Sequence, residues 1–127
     1  MEVLEYLFFN KLIILSESRS SPVNFFASLS LTIKETRPIG FPMSEELIIR
    51  EKKIAQGTIE CSSFAIKYGI SMNIAGGTHH AFYDKGEAFC MLNDQAIAAN
   101  YLLYNKLVKK ILIIDLDVHQ GNGTASI

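Results

Sequence analysis

At 127 residues, 49% hydrophobic and 20% charged, the chain has the composition of one globular domain with enough apolar content for a core. A net charge of −1, with lysines scattered at Lys52, Lys53, Lys109 and Lys110, excludes the massed basic face that nucleic acid or an anionic membrane requires. Two isolated cysteines, Cys61 and Cys90, exclude a disulfide scaffold and a CxxC zinc site, and a reduced cytoplasmic setting is the expectation.

The N-terminal stretch "MEVLEYLFFNKLIIL" opens on Glu2 and Glu5 rather than on basic residues, and no A-x-A cleavage pattern follows it. Lys11 interrupts its apolar run, so an amphipathic helix is predicted here, not a signal peptide or a membrane span. "SESRSSP", at positions 16–22, marks a boundary loop. Positions 23–41 are ambiguous, with "SLSLTIK" alternating like a short strand.

Beyond Pro42, Ser44 has the character of a helix N-cap, with Glu45 and Glu46 in the first turn where the helix dipole favours acids. The helix is predicted to run to Tyr68 and stop at Gly69, with Ile48, Ala55, Ile59 and Ile66 on one side. "ISMNIAGG" reads as a strand from Ile70 to Ala75, and "THHAFYDKGEAFC" as a loop. Asn93 or Asp94 caps a second helix in which Ile97, Tyr101 and Leu102 recur. A closing strand starts near Lys110 and carries the aliphatic run Ile111 to Ile114 into "DLDVHQGNG".

Strand, helix, strand over residues 70–117 predicts a βαβ unit with parallel strands and a right-handed crossover. Ligands of open α/β sheets bind beyond the carboxyl ends of the strands. His79 and His80 follow one such end, and Asp115, Asp117 and His119 lie at the other. All three histidines are therefore expected on one rim.

Asp115, Asp117 and His119 are each two residues apart, so an extended chain turns them to one side. A buried carboxylate needs compensation, and a divalent cation supplies it; oxygen and imidazole nitrogen are ordinary zinc ligands. The competing reading is a strand end whose polar groups face solvent. For "GGTHHAF", two neighbouring imidazoles suit general acid–base work, whereas the bland reading packs one histidine and exposes the other. Phe89, with Phe82 and Tyr83, could wall a narrow channel or simply anchor the loop.

"GGTHHAFYDKGEAFCMLND", followed after one helix by "ILIIDLDVHQGNGT", resembles the histone deacetylase superfamily, with the match running from Ile39 to the end. Residues 1–38 match poorly and residues 39–127 are expected to form a partial deacetylase domain. "HQGNG" is similar to the class IV and bacterial branch.

The resemblance implies an arginase/deacetylase-like α/β fold, three layers around a mostly parallel sheet, here incomplete. It also implies a zinc-dependent hydrolase of acyl-lysine or related acylated amines. Asp117 and His119 match zinc ligands, and Asp115 matches the carboxylate that orients His79 and contributes to a potassium site. His80 matches the general base and acid acting on zinc-bound water, and Phe89 a wall of the acyl channel.

Three departures stand out. Ala88 replaces the glycine usual before Phe89. Asn122 replaces the aspartate behind the second histidine; a neutral partner stabilises imidazolium less and favours His80 as a base. The family's remaining zinc-ligating aspartate and its transition-state tyrosine fall later than Ile127. These 127 residues alone are thus expected to be inactive, with an exposed sheet edge that a partner chain could cover. Two alternatives to a working deacetylase follow: a truncated non-catalytic remnant, and an unrelated α/β binding module with fortuitous motifs.

Overall fold

Ser44 starts the longest element among the described residues. In the computed structural model, which describes residues 36–127, its backbone is extended and its hydroxyl accepts the Leu47 amide at 3.1 Å. That contact satisfies one of the free N–H groups that every helix start leaves. Helix α1 (Glu45–Tyr68) follows, with Glu45 and Glu46 in its first turn. A backbone amide and the Ser44 hydroxyl hold the Glu46 carboxyl below its ordinary range. Gly69, at φ +94°, closes the helix by returning its N–H to the Ala65 carbonyl, a conformation that costs glycine little. The helix and loop expected before residue 23, and the alternation in "SLSLTIK", lie outside the described residues.

Helix α2 (Asp94–Tyr104) packs on α1. Ala55, Ile59 and Ala98 form the buried seam, flanked by Ile97 and Tyr101. Alanines on both helices let the backbones approach closely. The expected apolar side of α1 is buried at Ile48, Ala55 and Ile59 but not at Ile66, which is 53% exposed. The reason is length: α2 has 11 residues against 24 in α1, so the last turns of α1 reach past their partner. There Phe64 and Tyr68 stack on each other instead.

A 3-10 turn (Arg37–Ile39) supplies a further buried apolar group, Ile39. It is tied to the loop before α2 by two backbone bonds, from the Ala88 amide to the Pro38 carbonyl and from Phe89 to Ile39. Helix α3 (Asn122–Ser126) ends the described fold. Among the described residues no helix is long and apolar enough to cross a membrane, and both cysteines are free thiols.

The parallel sheet expected from residues 70–75 and 110–117 is not formed among the described residues. Residues 70–73 and 110–116 carry no regular structure, and residues 74–75 form a turn closed by the Gly76 amide on the Asn73 carbonyl. Along the second segment Leu112 and Leu116 are 81% and 91% exposed, Ile111 and Ile113 only 37% and 38%. No backbone hydrogen bond joins the two segments. A strand exists through its ladder, so an extended run without a bonded neighbour satisfies its backbone with water. A parallel sheet also needs both faces covered, and here the even-numbered side, including Ile70, Met72 and Ile74, is bare.

Candidate active site

Where α2 begins, two consecutive buried side chains divide the work. Asn93 is the cap: its Oδ1 accepts the Ala96 amide at 3.0 Å. Its Nδ2 donates to the Ala81 carbonyl and to the Thr124 hydroxyl, each at 2.9 Å. Asp94, expected as the alternative cap, instead turns outward from the helix axis onto the preceding loop. Its Oδ1 accepts from the Gly77 amide at 3.0 Å, the Thr78 amide at 2.8 Å and the Thr78 hydroxyl at 2.6 Å. Its Oδ2 accepts from the Thr58 hydroxyl of α1 at 2.6 Å. The histidine pair is therefore held on both sides from one helix terminus.

The two imidazoles face each other at 4.1 Å between ring centres, and His119 lies 6.0 Å from His80. His79 Nδ1 meets Asp115 Oδ2 at 2.6 Å. The other oxygen of Asp115 accepts the Asp117 amide. Chiefly because of the His79 hydrogen bond, and then of that amide, the Asp115 carboxyl is held below its ordinary range.

His80 Nδ1 meets Asn122 Oδ1 at 2.7 Å, and the same oxygen accepts the Gly123 amide. These partners assign the tautomers. An oxygen that accepts from Gly123 can only accept from His80 as well, so His80 carries its proton on Nδ1. A carboxylate behind His79 fixes the same arrangement. In the neutral form each ring thus keeps its bare nitrogen, Nε2, on the side away from this partner.

Two glycines permit this closeness. A Cβ at Gly121 would run into Asp115 Oδ2, and one at Gly123 into the Ala81 and His79 carbonyl oxygens. The two glycines of "QGNG" are thus a steric requirement of the site. Thr124 completes the junction by donating its amide to the His79 carbonyl.

Asp117 and His119 sit beside the pair. Asp117 Oδ1 lies 3.8 Å from His79 Nε2, 2.7 Å from the His119 amide and 3.0 Å from His119 Nδ1. The His119 amide is the main reason the Asp117 carboxyl is held low. The pair offers one oxygen and one nitrogen donor, the types zinc takes. A catalytic zinc ordinarily has three protein ligands. Among the described residues no group of three or more histidine, cysteine or acidic side chains is placed to hold a metal ion.

Ala88 and Phe89 lie on the loop held by the 3-10 turn, both at positive φ, +46° and +64°. Phe89 is exposed and meets Phe41 edge-on at 5.1 Å between ring centres. Phe82 stacks under the Lys85 ammonium. The structure thus brings together His79, His80, Asp115, Asp117, His119 and Asn122, while Ala88 and Phe89 lie further along the loop that carries the histidine pair, against the 3-10 turn. The clamp made by Asn93 and Asp94 was not visible as such in the sequence. Its one signal was two adjacent residues able to cap, of which a helix uses one.

Over residues 12–127 the sequence matches the Histone deacetylase domain family, and the chain belongs to that family. Membership implies the arginase/deacetylase fold. The chain is 46% identical to an uncharacterised protein of Picosynechococcus sp. over 105 residues, which is 83% of this chain and 35% of that protein. It is 29% identical over 127 residues to Histone deacetylase 2 of Arabidopsis thaliana, covering 97% of this chain and 33% of the relative. A probable deacetylase of Methanothermobacter thermautotrophicus is 39% identical over 74 residues, 58% of this chain and 22% of that protein. The chain spans about a third of the length of the first two relatives.

Proposed function

We propose that this chain carries the acid–base half and part of the metal site of a zinc-dependent hydrolase of acyl-lysine or small acylated amines. The observation that carries the reading is the pair of Nδ1 contacts, His79 to Asp115 and His80 to Asn122, which leaves two Nε2 atoms beside Asp117 and His119. Zinc, when bound, supplies Lewis acidity toward the amide carbonyl and the attacking water; Asp117 and His119 would hold it. His80 Nε2 takes the proton of that water and later returns it to the leaving amine. His79, with its ring fixed by Asp115, faces the same reacting group.

In this reading residues 70–75 and 110–117 are strands of a mostly parallel sheet, a potassium ion neighbours Asp115, and Phe89 walls the acyl channel. The setting is cytoplasmic. A partner surface covers the bare even-numbered side.

A second reading, a non-catalytic chain, is favoured by the two-donor set among the described residues. The test is zinc content and acetyl-lysine peptide hydrolysis by the purified chain, alone and extended by the downstream part of a relative. Turnover lost in His80→Ala supports the first reading. Absence of turnover in both forms supports the second.

A further inference from the structure

We propose that Asp94 is a positioning residue that sets the histidine pair through the backbone ahead of it. This rests on the reading of His79 and His80 as the acid–base pair. Asp94 is 1% exposed. A carboxylate that deep is tolerated only when its oxygens are supplied with donors. Here they receive four: the Gly77 and Thr78 amides and the Thr78 and Thr58 hydroxyls. Three of the four come from the two residues immediately before His79. The fourth comes from α1, and Thr58 is itself steadied by the Asn73 amide at 2.8 Å. Asp94 therefore links the packed helices to the loop that ends in the imidazoles.

Two further features argue for positioning rather than general packing. Asn93, its neighbour, holds Ala81, the residue immediately after His80, so both ends of the dipeptide are fixed from the start of α2, where the dipole favours a negative charge. Gly76 makes room as well, since a Cβ there would crowd Asp94 Oδ2 at 2.7 Å. The chemistry also specifies a carboxylate. Two backbone amides, which can only donate, and two hydroxyls face Asp94, so Asp94→Asn keeps its oxygen on the loop only by turning its NH2 toward Thr58, and it loses the negative charge that strengthens every one of these contacts. The loop is then held more weakly, and the 2.6 Å and 2.7 Å contacts of the two rings lose a rigid frame. Displacements near 1 Å are enough to disable a catalytic group.

The test uses the full chain with nitrogen-15 in its histidines. It follows solvent exchange of the two Nδ1 protons by NMR, with far-UV circular dichroism as the check on folding. Asp94→Asn is expected to keep the helical spectrum while both protons exchange at least about tenfold faster, the effect of losing one hydrogen bond to a charged group. Unchanged exchange in folded Asp94→Asn overturns the proposal. Should that variant not fold, Thr58→Val decides. It removes the α1 donor to Asp94, together with the Asn73 contact to the same hydroxyl, and leaves the loop donors in place; faster exchange supports the positioning role while unchanged exchange overturns it. Neither readout needs turnover, so failure of the hydrolase reading and failure of this one are separately visible.

Discussion

His79 Nδ1 and Asp115 Oδ2 lie 2.6 Å apart although 36 residues separate them in sequence. The contact ties the loop that follows residues 70–75 to the end of residues 110–117, and it lowers the Asp115 carboxyl below its ordinary range. A lowered folded value means that the ionised form favours the fold. This contribution is present above the ordinary carboxylate range and is lost as pH falls through the lowered value. Carbon-13 titration of Asp115 is expected to show its inflection below that of an unstructured aspartate. His79→Ala is expected to move it upward.

Glu51 has the opposite sign. It is 2% exposed, one of its oxygens has no hydrogen-bond partner, and burial raises its pKa more than Arg50 lowers it. A raised folded value favours the protonated fold. That stability is complete below the unfolded value and is lost as pH rises through the folded one. Glu51→Gln is expected to raise the melting temperature by a few degrees at neutral pH. The gain should vanish in acid, below the ordinary glutamate range. Paired thermal melts at the two pH values check it.

Ala88 stands at φ +46°, where an L residue carries strain. Ala88→Gly removes it, at the expense of a more flexible unfolded chain. The balance favours the variant by about 0.5–1 kcal/mol. A higher urea midpoint with unchanged slope is the expected result.

Gly121→Ala is expected to break the His79–Asp115 contact, because the new methyl would occupy the position of Asp115 Oδ2. Its signature is loss of the His79 Nδ1 proton signal with the His80 signal retained.

Local signals made the helices legible. Ser44 caps α1, Gly69 ends it, and each acts within a turn of its own position. Alternation alone put Asp115, Asp117 and His119 on one side, and the motif order placed the histidine pair against them. What could not be read was whatever depends on a distant partner. Ile70–Ala75 has the composition of a strand, yet strand structure comes from a bonded neighbour that the described residues do not supply. Ile66 continues an apolar stripe, but the partner helix is too short to cover it. Asp94 could not be told from a cap, because its role requires Thr58 and Thr78 to meet it from opposite sides of the chain.

The most direct measurement is the tautomer of each histidine, read from ring nitrogen-15 shifts of the full chain at mildly alkaline pH. The expected result is a protonated Nδ1 and a bare Nε2 on both His79 and His80. A proton on Nε2 of His80 would contradict the assignment of that ring as the base, and with it the proposed chemistry.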